Sequence, residues 1–266
     1  MLDHPADEAA KRFCATHGCH RRATSTDWKF FLPVPEGGRV LEIGAGFGDD
    51  TLALARVAKE VVSLVPDEAS KAILRRRLEQ SSAGNVDAVL LQDLSKITQP
   101  DVSIDAISIE DVAAPAFRLT DETLPDVVHE WARILSPRGS VFVGVRNTYR
   151  KLPGARSWMP PGNRESLNRF VKRAASASSP KLSRGAVVSC MRAKGFDVET
   201  FAPIPHEQAI EAVVPLGAPE SLRYCLNSFL RQNYLGTRTA VAAANVAADA
   251  DRLANLLPYY FLLFRR

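Results

Sequence analysis

Seven short stretches of the chain read as strands, most of them predominantly apolar: 39–43, 60–65, 86–91, 104–109, 141–145, 196–201 and 258–266. A short continuous apolar run, as opposed to an alternating one, reads as a strand buried on both faces. Between these runs the period lengthens, and 51–58, 66–78, 120–135 and 183–194 read as helices. In 120–135 the residues Leu124, Val127, Val128, Trp131, Ile134 and Leu135 share one face, and Ser136-Pro-Arg-Gly139 stops the helix. Pro66, Asp67 and Glu68 open the second helix as proline and acids do. Strand and helix alternate, so the expected fold is α/β: a seven-stranded, mostly parallel sheet with helices on both faces. Before the last strand lies 203–257, in which 220–231 and 239–257 read as helical, so a helical insertion is expected there.

Candidate chemistry begins where the first strand ends, at Glu42-Ile-Gly44-Ala-Gly46-Phe-Gly48. Glycines at alternate positions let the backbone turn sharply and approach a ligand, and the next helix offers N–H groups at its start. A dinucleotide fingerprint requires Gly-x-Gly-x-x-Gly, but the sixth position from Gly44 is Asp49, followed by Asp50. Two carboxylates there suit the helix dipole and would repel a pyrophosphate. That argues against a nicotinamide-dependent oxidoreductase and for a nucleoside cofactor without phosphates. A glycine-rich turn with no ligand is the plain alternative.

These residues resemble the first motif of the class I S-adenosylmethionine-dependent methyltransferases, an acidic residue followed by x-Gly-x-Gly-x-Gly. The resemblance runs over about 27–146, and the later helix, Lys194-Gly195-Phe196 and strand continue it. It implies a Rossmann-like fold and S-adenosyl-L-methionine as cofactor, with Glu42, Gly44, Ala45, Gly46 and Gly48 around its methionine part. By the same resemblance Asp93, with Gln92 beside it, takes the adenine amino group, against a competing reading as a loop cap. The acid that the family sets at the end of the second strand, to hold the ribose, is Val65 here. Asp67 either replaces it or is an ordinary first-turn acid. This departure opens a second reading, a non-catalytic methyltransferase-like subunit. The Asp/Asn-Pro-Pro-Tyr/Phe signature of base-amine methylation is missing after the fourth strand, where Glu110-Asp111 stand. The segments 26–35, Pro203-Ile-Pro-His206 and Tyr259 to Arg266 resemble a bacterial small-molecule or surface-polysaccharide subgroup.

Composition narrows this picture. With 266 residues, 46% of them hydrophobic, the chain can hold one large α/β domain. Its expected divisions are an amino-terminal cap (1–38), the cofactor core (39–146), a basic lid or substrate segment (147–185), more core (186–202), a helical addition or pairing surface of a homo-oligomer (203–257) and the last strand (258–266). No amino-terminal apolar stretch of signal type is visible, and the run at 256–264 is too short to span a membrane, so a cytoplasmic enzyme is expected. Cys14, His17, Cys19 and His20 crowd into seven residues without a second ligand pair at finger spacing, so no metal is expected. From Arg146 to Arg184 there are ten basic residues and one acid, in a chain of net charge +4. That run is either a solvated helix face or a surface for an anionic acceptor. No RRM, KH or OB pattern accompanies it, so nucleic acid is not the expected partner.

A sulfonium brings its own electrophile, so the protein has to align an acceptor and, for a hydroxyl, take its proton. Glu110, Asp111, Tyr149 and His206 are candidate bases, the first two because the fourth strand delivers them to the sheet's carboxyl edge, where open α/β sheets bind ligands. Both acids read equally as cofactor-side or capping groups, and Glu110 counts among the cofactor-binding residues as well. The expected reaction is methylation of an oxygen on a small, anionic or carbohydrate-like acceptor.

Overall fold

The computed structural model describes residues 32–46, 48–110, 117, 119–146, 182–206, 209–218, 220–221 and 259–266. The strands are β1 (Arg39–Ile43), β2 (Glu60–Val65), β3 (Val86–Leu90), β4 (Ile104–Ile109), β5 (Leu135–Arg146), β6 (Asp197–His206), β7 (Ala209–Pro215) and β8 (Tyr259–Arg265). They form one sheet in the order β3-β2-β1-β4-β5-β8-β6-β7. The first five are parallel, while β8 runs antiparallel to both β5 and β6, and β7 antiparallel to β6. The helices are α1 (Asp49–Ala55), α2 (Glu68–Ser81), α3 (Leu124–Ile134) and α4 (Arg184–Ala193), with a 3-10 turn at Leu94–Lys96.

Alternate residues of the central strands feed two cores, which is why their runs are largely apolar. Leu41, Ile43, Val62, Leu64, Ile107, Ile109, Val141 and Val143 lie on the face covered by α3 and α4, through Val127, Val128, Trp131, Val187 and Met191. On the other face Val40, Val61, Ala106 and Phe142 pack with Leu54 of α1, while Val65 and Ala88 lie under Leu74 and Leu78 of α2. The expected parallel sheet with helices on both faces is therefore present, and six of the seven expected strands begin within one residue of their expected starts.

Three expectations need correction. The sheet has eight strands, not seven, because β6 runs on to His206 and turns into β7 inside the segment expected to be helical. Beyond Phe201 the strand carries Pro203 and Pro205 and pairs only with β7, with a register shift at Ile204/Pro205. Prolines are tolerated at such an edge and at such an irregularity. The rest of the insertion, 222–258, lies outside the described residues. The third expected helix starts at Leu124 in place of Thr120, whose hydroxyl instead accepts from the Thr123 amide at 3.1 Å. The fifth strand starts at Leu135, ahead of the Pro-x-Gly turn, through a bridge to Ile104.

Candidate functional site

The strand order places the reversal of winding direction between β1 and β4, and in open α/β sheets ligands bind outside the carboxyl ends of the strands at that point. The glycine loop leaves β1 there. Gly44, Gly46 and Gly48 have φ of 87°, 52° and 82°, a region side chains enter at a cost. Their surroundings differ. A Cβ on Gly48 would stand 2.6 Å from Leu74 Cδ1, so this glycine lets the loop close on α2. Among the described residues a Cβ on Gly46 would meet nothing within 4 Å, so the loop's middle leaves room there for a ligand. Between Gly44 and Gly46, Ala45 is buried, and its carbonyl accepts from the Gly48 amide at 2.7 Å, which closes the turn.

Glu42 is 2% exposed, and a carboxylate so placed requires donors. Its Oε2 accepts from Thr51 Oγ1 at 2.5 Å and from Ser63 Oγ at 2.8 Å, which ties β1 to α1 and β2 under the loop. Sequence reasoning missed both hydroxyls. Their signal was legible: Ser63 is the polar residue within an apolar strand and stands opposite Glu42 in the parallel register, and Thr51 follows Gly48 by three positions. Of the two acids after the loop, Asp49 pairs with the Arg77 guanidinium of α2, and Asp50 is buried.

The other strand ends are built by caps. Val65 is fully buried among Ala45, Leu74, Leu78 and Ala88, so no carboxylate stands at the last residue of β2. Asp67 caps α2, its Oδ1 accepting from the Ser70 amide at 2.7 Å. After β3, Asp93 caps the 3-10 turn, accepting from the Ser95 amide at 3.0 Å and its hydroxyl at 2.7 Å, with Lys96 Nζ at 3.0 Å. The Ser95 hydroxyl first, then Lys96, hold its carboxyl down at about 2. Gln92 beside it is exposed. Glu110 follows β4 directly, half-buried, and its carbonyl accepts from the Tyr259 hydroxyl.

Of the sequence-predicted site residues, the sheet's carboxyl edge thus gathers Glu42, Gly44, Ala45, Gly46, Gly48, Asp67, Gln92, Asp93 and Glu110. Asp111 and Tyr149 lie outside the described residues, as do the side chain of His206, nearly all of the basic run and the Cys14 to His20 cluster. Among the described residues no group of three His, Cys, Asp or Glu side chains is placed to hold a metal, and no helix is long and apolar enough to cross a membrane. His129, on the polar side of α3, meets Lys194 Nζ at 3.2 Å.

Known proteins resemble this chain over the part that carries the glycine loop. Residues 40–139 match the family model described as a methyltransferase domain. A ubiquinone/menaquinone biosynthesis C-methyltransferase UbiE of Azotobacter vinelandii is 33% identical over 125 residues, which are 44% of this chain and 47% of that protein. A dimethylglycine N-methyltransferase of Parasynechococcus marenigrum is 33% identical over 112 residues, 40% of this chain and 37% of that protein. The chain thus spans less than half the length of either relative. Among solved structures, the [4+2]-cyclase SpnF superposes with a TM-score of 0.55 at 18% identity, covering 92% of this chain and 80% of that one. The fold is shared, and it hosts more than one chemistry.

Proposed function

We propose that this chain is an S-adenosylmethionine-dependent methyltransferase. The carrying observation is the glycine loop at the β1/β4 switch point, where among the described residues a Cβ on Gly46, at φ 52°, would meet nothing within 4 Å, and where three strand ends beside it are furnished with acids. The match of 40–139 to a methyltransferase domain supports the same reading. When bound, the cofactor would supply an electrophilic methyl group on a cationic sulfur. The chain's part is to hold it: backbone of Gly44 to Gly48 against the methionine portion, Glu42 bracing that loop from below, and Asp93 with Gln92 at the adenine. Asp67 would serve the ribose with the oxygen that Ser70 does not occupy.

For the acceptor we infer the oxygen of a small anionic or carbohydrate-like molecule, supported by the basic run from Arg146 to Arg184 and by Glu110 at the end of β4 as proton acceptor, with Asp111, next in sequence, and Tyr149 as further candidates. The two relatives bear names of carbon and nitrogen methylation, so the methylated atom is the point to measure. A second reading, a methyltransferase-like subunit without catalysis, draws on Val65, whose burial leaves the ribose without its usual acid.

Calorimetric titration of the purified chain with S-adenosylhomocysteine tests the first reading. Binding in the micromolar range is expected, and Gly46→Val should weaken it at least ~100-fold, since a side chain would both strain the loop and take up the room left for the ligand. No heat from the parent protein would sink the proposal. Binding without methyl incorporation into any acceptor class would favour the subunit reading. Where label is incorporated, carbon-13 NMR of the product identifies the atom.

A further inference from the structure

Tyr259 opens the last strand and is not among the residues the sequence pattern marked as chemical. It is 2% exposed, edge-on to Phe261 with centroids 5.5 Å apart at 82°, and Phe261 in turn leans on Phe142 at 5.0 Å. This aromatic column anchors the ring on the α1 side of the sheet. Its hydroxyl does not stay on its own strand. It reaches past β5 and donates to the carbonyl of Glu110 at the end of β4, two strands over. The strand between makes room at one residue: Gly144, which pairs with Phe261, has no side chain where a Cβ would collide with both the Glu110 carbonyl and the Tyr259 hydroxyl. A tyrosine hydroxyl, a missing side chain and a turned-in carbonyl therefore meet where the chain leaves β4 for the switch-point crevice.

A buried hydroxyl and a carbonyl leaving a strand both need a partner, and here each is the other's. Fixing that carbonyl fixes the direction in which Glu110 leaves the sheet. We propose that the Tyr259 hydroxyl is a positioning group for the acceptor side of the site: it locks the end of β4, and with it Glu110, in register with the glycine loop. This rests on the methyl-transfer reading above. The glycine loop is reached from β1 and β2, so the hydroxyl acts on the acceptor side and leaves cofactor affinity untouched.

Tyr259→Phe keeps the ring and removes only the hydroxyl, so the column stays packed. Three measurements on the full chain test it: S-adenosylhomocysteine affinity by calorimetry, transfer of labelled methyl from S-adenosylmethionine to a pool of phenols, quinols, amines and sugar phosphates, and amide hydrogen exchange. Expected are a dissociation constant within about twofold of the parent, methyl transfer lowered ~10-fold or more as for a misplaced reacting group, and exchange quickened at the end of β4 but not in β1. For any acceptor found, the loss should lie in its own kcat/KM, with KM for S-adenosylmethionine unchanged. Unchanged transfer and exchange would overturn the proposal while leaving the proposed function intact. Exchange quickened evenly, with cofactor affinity lost, would overturn it in favour of a purely structural tyrosine. Should the parent protein bind no S-adenosylhomocysteine, the function falls first, and the positioning role falls with it.

Discussion

At their carboxyl ends the parallel strands lead into glycines at positive φ and into acids that cap the next helix or turn; their amino ends are flanked by arginines clamped to carboxylates and carbonyls. Arg39, opening β1, grips both oxygens of Glu60 at 2.9 Å, and its amide donates to Asp105 at 2.9 Å. Arg133, in the last turn of α3, donates to Glu130 at 2.7 Å, to the carbonyls of Ile97 at 2.9 Å and Gln99 at 3.0 Å, and to Asp101. Arg265 meets Glu199 at 2.9 Å. One end consumes its polar groups in holding loops to the sheet, while the other leaves an open backbone turn. Stability and binding should therefore be separable by end.

The sharpest break of that separation is at Arg133, which is 27% exposed and holds two backbone carbonyls besides its acids. Arg133→Ala should cost about 2–4 kcal/mol, as charge-assisted bonds to partly buried groups are lost together. Urea unfolding measures the cost, and S-adenosylhomocysteine affinity should hold within about twofold. A large affinity loss would show that the two ends are coupled. Next in size is the pair under the glycine loop. Thr51→Val with Ser63→Ala leaves the buried Glu42 carboxylate without two donors, a cost of about 2 kcal/mol. Here affinity should fall along with stability, because the same contacts brace the turn.

These two predictions differ in how far the sequence alone supports them. The carboxyl edge was legible because a parallel strand announces itself by continuous burial, and Glu42 and the three glycines sit at a place where only a tight turn explains them. Val65 and Asp67 were legible as a departure, though not that Asp67 would turn to the Ser70 amide, since a cap and a ligand-binding acid share one residue type and one position. The Arg133 cluster was illegible: its partners at Ile97 and Gln99 are carbonyls, which leave no trace in side-chain identity. Tyr259 was hidden for a similar reason, reading as one more apolar residue in the last strand. β7 was missed because 209–215 lies in a segment that reads as a helical addition, and its partner β6 carries prolines that an edge strand tolerates.

A smaller effect of opposite sign is expected at the amino ends. Val102, between Asp101 and Ser103, has φ 53° and is 54% exposed, an unfavourable conformation for a β-branched residue. It is held by its amide donating to the Arg133 carbonyl at 3.1 Å and by the Ser103 amide donating to Ile134 at 2.8 Å. Asn tolerates the left-handed region far better, so Val102→Asn should stabilise by about 0.5–1 kcal/mol, read as a rise in the thermal midpoint. The same change made in the Arg133→Ala background should gain less, because the loop it relieves is no longer pinned. Equal gains in both backgrounds would mean that Arg133 does not impose the turn.

The smallest expected effect is a titration at the site end. Asp93 is held at about 2 against an ordinary value of 3.8, chiefly by the Ser95 hydroxyl and then by Lys96. A folded value below the unfolded one means that the cap's contribution is complete above about pH 4 and fades as pH falls toward 2, when the carboxylate takes a proton. Asp93 is exposed, so the change in global stability should be slight, and the informative quantity is the midpoint itself. Carbon-detected NMR of the Asp93 carboxyl should give a midpoint near 2, moving toward 3.8 in Ser95→Ala. Adding S-adenosylhomocysteine then asks whether this carboxylate serves a second partner. If Asp93 contacts the adenine amino group as well as its own turn, ligand should lower the midpoint further in both proteins, whereas a midpoint indifferent to ligand would leave it a cap alone.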